Sequence, residues 1–256
     1  MQQGACSLSP AHGSAVLRGG LGPAVPAAFL FYGPHSAGHQ HPAALHVDIH
    51  LGGQRLTDAA RLTGYGDPLY LTWGRTTLAA NTVVVDRQSM FPYDFPTESI
   101  WECDRWRDSI SDGELQAFAG DAHGGRVRAI NTQVYPGVRL ERFLRVTAKG
   151  VWDEFRVEAD RERLFDYVFH CVGRIEPPPG ARPIRLGRGR GYMHLREARV
   201  LPRRAGGTVF EWAKGGRVFR CELGSVPGGE VIMARDPTPP PNAKALGETV
   251  DRKSVV

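Results

Sequence analysis

The stretch YGPHSAGHQHPAALHVDIH, Tyr32 to His50, carries five of the chain's nine histidines. Imidazole changes charge near neutral pH, so such a cluster points to proton transfer, metal ligation or hydrogen bonding to a polar ligand. His35, His39 and His41 fall in a Gly/Pro-rich segment, while His46 and His50 fall in the apolar-alternating run that follows. In GHQHP, His39 and His41 are spaced i, i+2, which in extended backbone sets both rings on one side. Two imidazoles so placed hold a divalent metal, or one holds metal while the other faces substrate. Asp58, in RLTDAAR, is the nearby candidate for a further ligand, because it ends the strand that returns through the Gly52-Gly53 turn. The competing reading is a loop whose imidazoles bond backbone groups, and spacing leaves both open. His46, Asp48 and His50 form an HxDxH set, but alternate strand residues stand roughly 6.5–7 Å apart. That separation is too wide to close on one ion, so a polar outer strand face is predicted.

The elements that must position these residues read as strands. In LHVDIHL, Leu45, Val47, Ile49 and Leu51 share one face, and Gly52-Gly53 then turns the chain. NTVVVD, from Asn81 to Asp86, is a short buried run. Further strands are predicted at SAVLR, AAFLFY, RVRAINTQV, VRLERFLRV, VWDEFRVEA, LFDYVFHC, YMHLREARV, TVFEW, RVFRCEL and EVIMA. No helical pattern of three turns intervenes, so the expected fold is all-β, an antiparallel sandwich.

At 256 residues and 41% hydrophobic content the chain can furnish a large core. A formal charge of +5 suits an acidic partner without choosing one. Cys6, Cys103, Cys171 and Cys221 are widely spaced, which excludes a zinc knuckle and a dense disulfide framework and leaves the redox compartment open. The apolar run AVPAAFLFYG is too short to span a bilayer, so no membrane partner is expected. The segment Arg182 to Arg204 is the marked basic cluster, readable as an acidic-ligand surface or a solvated hairpin tip. It carries no recognised nucleic-acid motif, and no nucleic-acid partner is expected. Residues 1–12 read as linker, 13–235 as the domain, and 236–256 as a Pro-rich tail. The closing DRKSVV is similar to the translation of a common sequencing-adapter read; it is set aside as a sequencing scar, and the natural protein is expected to continue.

The run from Tyr32 through NTVVVD resembles the signature of the heparinase II/III-like polysaccharide lyases, in their C-terminal β-sandwich region. The shared features, in order, are a Gly-rich loop with an HxH pair and Pro, an apolar strand, a glycine turn and an Asp. A YG-P segment, an aromatic-to-Arg/Thr segment and an NTVVVD strand follow. DEFRVEADRERLFDYVFHCVG is similar to the family's second recognisable stretch, and the resemblance covers most of Gly13 to Arg235.

The resemblance implies an active cleft between this sandwich and a preceding α/α toroid that supplies most of the proton-transfer groups. It implies that His39 is catalytic and faces the cleft, and that His41 and Asp58 ligate a structural zinc. Two departures stand out: the family's AHN reads Ala79-Ala80-Asn81 here, which removes a ligand at Ala80, and Ala43 replaces an acidic residue. The implied chemistry is β-elimination at a uronic acid, in which positive charge or hydrogen bonding offsets the carboxylate while a base takes the C5 proton. Arg75 and Asn81 are the nominated substrate-binding residues, against the plainer alternatives of a surface ion pair and a strand-edge turn. The chain therefore reads as the sandwich portion of a lyase acting on an acidic polysaccharide, inactive without its toroid. The alternative is a non-catalytic module that binds acidic glycan or packs against another domain. A bacterial periplasmic or secreted parent is what the resemblance implies.

Overall fold

A computed structural model describes residues 5–35, 41–57, 69–90, 111–202, 206–224, 228–237 and 252–255. The first sheet contains β1 (Ser7–Ser9), β2 (Ser14–Arg18), β3 (Ala27–Phe31), β4 (His46–Leu51) and β5 (Gln54–Arg55), antiparallel and in sequence order. Gly52 and Gly53 have φ of 57° and 76° between the paired Leu51 and Gln54, the left-handed geometry of a tight hairpin turn. After β6 (Val83–Val85) come β7 (Glu114–Gly120), β8 (Gly124–Asn131), β9 (Val138–Thr147) and β10 (Gly150–Ala159). These last four form a sheet in the order β10-β9-β8-β7.

The two sheets pack face to face, β2 and β3 lying on β8, β9 and β10. Strand alternation sends Val127, Leu140, Leu144 and Val146 inward to join Leu17, Leu30 and Val47 in one core. Burying each such side chain contributes about 1.5–3 kcal/mol, which makes this interface the main support of the fold.

The remainder is also antiparallel. β11 (Phe165–Tyr167) pairs with β6, while β12 (Phe169–Val172) enters a different sheet, and between them Val168 donates its N–H to Thr82 O. β13 (Arg174–Ile175), β14 (Arg182–Pro183) and β15 (Arg196–Val200) follow, then the β16 (Thr208–Lys214) and β17 (Arg217–Leu223) hairpin. β18 (Ile232–Arg235) and β19 (Arg252–Val255) complete a sheet in the order β12-β19-β18-β15-β14. The residues set aside as a scar thus pair here on both sides, with β12 and with β18.

The chain is all-β, an antiparallel sandwich, as the alternation predicts. The longest helical piece among the described residues is the five-residue π turn Tyr70–Gly74, and none is long and apolar enough to cross a membrane. Several local expectations change. YMHLREARV begins as a 3-10 turn, Tyr192–His194, behind Gly191 at φ 83°, and only then extends. NTVVVD is strand only over Val83–Val85, Asn81 and Thr82 lying in the preceding loop.

Candidate functional site

The histidine loop leaves β3 through Tyr32, Gly33 and Pro34. A Cβ on Gly33 would stand 2.2 Å from His12 O, so only glycine permits this approach to the β1–β2 turn. Tyr32 N–H donates to Gly13 O at 2.7 Å. His35 and Ser111 exchange backbone hydrogen bonds of 2.7 and 3.1 Å, which pins the loop's outgoing end. His39 and Asp58 lie outside the described residues, so the structure positions neither.

At the loop's return, His41 Nδ1 lies 2.8 Å from Gly74 O, the last residue of the π turn. A helical end leaves carbonyls unpaired, and an imidazole N–H satisfies this one. The bond places the ring hydrogen on Nδ1 and leaves Nε2 as an acceptor, which is buried and has no hydrogen-bond partner among the described residues. Burial pushes the His41 pKa down to about 4, against the opposing hydrogen bond that His41 donates to Gly74 O, and the fields of Arg75, His35 and His46 lower it further. The ring is therefore neutral at ordinary pH. Arg75, the next residue after Gly74, is only 1% exposed. Its Nη1 is 3.5 Å from Tyr70 Oη, and its guanidinium stands 5.9 Å from that ring's centroid. The surface ion pair weighed for Arg75 is thus replaced by a buried cation beside a neutral histidine.

His46 departs from the polar outer face predicted for it and is buried. Its Nδ1 accepts the Asn81 backbone N–H at 3.0 Å, which turns Nε2 toward Asp48 Oδ1 at 3.4 Å. Asp48 is also bound by Arg55 at 2.9 Å. Burial would raise the Asp48 pKa, but His46 and Arg55 together hold it below the ordinary carboxylate value. Asn81 is fully buried; its Nδ2 donates to Val47 O at 2.9 Å and its Oδ1 accepts His170 N–H at 2.6 Å. With both ends of its amide bonded to backbone, Asn81 ties β4 to β12.

Arg142 closes this arrangement from below. In VRLERFLRV it shares the inward row with Leu140 and Leu144, and it is fully buried. Nη1 donates to Leu45 O and Asn81 O at 2.6 and 2.5 Å, while Nε and Nη2 grip Asp153 at 2.9 and 2.5 Å. Leu45 holds φ 59°, a strained value for a branched residue, and its carbonyl is one that Arg142 fixes. A cation on an apolar strand face was a legible sign, yet alternation alone does not say what such a residue holds.

The structure therefore brings His41 and Arg75 together and makes Asn81 a tie between β4 and β12. For zinc, the described donors are insufficient. His41 Nε2 offers one nitrogen donor, Ala80 offers a buried methyl at the motif's next position, and Arg75 places positive charge near by. Among the described residues no group of three or more His, Cys, Asp or Glu is arranged to hold a metal ion.

The family model described as Heparinase II/III-like, C-terminal, matches residues 11–231, and the chain belongs to that family. An alginate lyase of Stenotrophomonas maltophilia (strain K279a) is 29% identical, covering 65% of this chain and 23% of that protein. The heparan sulfate lyase HepC of Pedobacter heparinus superposes with a TM-score of 0.53 at 12% identity, over 95% of this chain and 32% of its own. A heparinase III gives a TM-score of 0.52 at 12% identity, over 98% of this chain and 35% of its own. At that identity the two structures share the fold. The chain spans about a quarter of the curated relative and a third of the solved ones.

Proposed function

We propose that the chain is the C-terminal sandwich of a polysaccharide lyase that cleaves uronic-acid-containing glycans by β-elimination, in partnership with an α/α toroid. The observation that carries the reading is the neutral His41 imidazole, held by Gly74 O with Nε2 left as an acceptor, beside the buried Arg75 cation. In β-elimination a base removes the C5 proton, the electron pair forms the C4–C5 double bond, and the C4–oxygen bond breaks. Positive charge or hydrogen bonding at the cleft offsets the substrate carboxylate and lowers the cost of the developing carbanion. A firmly held His41 fixes the chain two positions beyond His39, the imidazole proposed to meet substrate. The toroid supplies the base, so the 256 residues alone do not turn over.

The test is the ultraviolet absorbance of the unsaturated product from alginate or heparan sulfate. The chain alone yields none, and the chain joined to a family toroid yields product. In that joined protein His39→Ala lowers kcat by about 10²–10⁴, the range for loss of a positioned acid–base or hydrogen-bonding group. Cleavage by the chain alone, or full activity in His39→Ala, overturns the reading.

A further inference from the structure

The outer face of the four-stranded sheet divides its charges unevenly. Strand register sets Arg126 of β8 opposite Arg145 of β9, and Arg145 opposite Trp152 of β10, so the three side chains form one row. On the rest of the face arginines meet acids: Arg128 is 3.4 Å and Arg139 2.7 Å from Glu141, and Arg156 is 3.7 Å from Glu154. Arg126 and Arg145 have no ion-pair partner among the described residues, and Trp152, 63% exposed, makes no ring contact among them. Two like charges directly opposite on neighbouring strands destabilise a sheet unless an anion lies between them. The adjoining row toward the strand ends is Gly124, Thr147 and Gly150, so no tall side chain shades the indole.

We infer that Arg126, Arg145 and Trp152 form a binding surface for an anionic polysaccharide, separate from the histidine loop. Choosing a uronate polymer as the ligand rests on the proposed function; the charge and shape of the surface do not. A sugar's C–H face stacks on an exposed indole, and guanidinium binds a carboxylate in bidentate fashion. Neighbouring strands stand about 4.8 Å apart, so the row is about 10 Å long and offers the ring and the carboxylates of a polymer chain separate contacts. Such a surface holds the polymer to the protein without taking part in its cleavage.

The test is affinity electrophoresis of the chain in gels containing alginate or, separately, neutral dextran, with tryptophan fluorescence as a second readout. Alginate retards the chain and dextran does not. Trp152→Ala, and the pair Arg126→Ser with Arg145→Ser, each weaken alginate binding about tenfold or more, as loss of a charge-assisted or stacking contact does. Trp152→Ala also abolishes the alginate-induced change in fluorescence. All three positions are exposed, so thermal melting stays unchanged and reports intact folding. Arg185→Ser with Arg188→Ser, exposed arginines of the other basic cluster, serves as the charge control. Absence of alginate binding by the parent overturns the inference, as does an equal loss in the control pair, which would show net charge alone at work. A toroid-joined protein without lyase activity overturns the proposed reaction and leaves this result standing.

Discussion

Replacing Arg142 by methionine removes the one group that joins Leu45, Asn81, Asp153 and Tyr167. The guanidinium is fully buried and the Asp153 side chain 13% exposed, so the substitution strands a carboxylate that, among the described residues, keeps only the 2.6 Å bond from Tyr167 Oη. Burial alone would lower the Arg142 pKa, yet Asp153 and Tyr167 hold it above the ordinary value, so the guanidinium stays charged. Breaking a buried pair from one side costs roughly 3–5 kcal/mol. The carbonyls of Leu45 and Asn81 each lose their Arg142 donor, at about 1 kcal/mol apiece and partly within the same total. The expected destabilisation is therefore about 4 kcal/mol, equivalent to a fall in Tm of about 8–16 °C at this chain length. Guanidinium titrations followed by circular dichroism measure it. Adding Asp153→Leu to Arg142→Met removes the stranded charge and recovers roughly half of the loss. A single variant within about 1 kcal/mol of the parent, or a double variant whose losses simply add, refutes the account of Arg142 as the hub under the loop.

Three further predictions follow the same physics. His41, with a pKa lowered from 6.5 to about 4, contributes stability that is fully present above pH 6.5 and is lost as pH falls toward about 4, because the folded state resists the proton. Urea midpoints across that window should decline in the parent, and His41→Gln should lack this share of the decline. Asn81→Ala leaves Val47 O and His170 N–H unpaired in the interior and costs about 2–4 kcal/mol, measured as a shift in denaturant midpoint; unchanged stability would return Asn81 to the role of ligand contact. Ala80→His tests the zinc position implied by the family motif. The variant should melt lower without metal, since position 80 is buried and a larger side chain overpacks it, and zinc at 100 times its Kd should restore about 2.7 kcal/mol. An equal zinc response in parent and variant would remove position 80 from any shared site.

What the sequence determined is the class of fold and the place of the loop, because period-two alternation is a local property. SAVLR, VRLERFLRV and RVFRCEL each carry it, and each is a strand at those residues. Gly52-Gly53 signalled its hairpin for the same reason, since left-handed φ at two successive positions is a demand the residues themselves meet. Weak local signals behaved differently. ELQAFAG has little β propensity, and it is a strand because β8 lies beside it to take its hydrogen bonds.

The fate of each polar side chain was settled only by tertiary structure. His46 alternates with Val47 and Ile49 and reads as solvent-facing, yet the Asn81 loop folds over it and supplies a donor to its ring. Arg75 and Asn81 carry no mark of burial in their neighbours; both are enclosed because segments distant in sequence meet there, and the partners of the Asn81 amide are ones that no spacing rule names. The same holds for the pairing of two arginines with Trp152 on the outer sheet, which depends on strand register across turns. Alternation fixes which side of a strand a residue occupies; which residue stands opposite is decided by how the strands are set against one another.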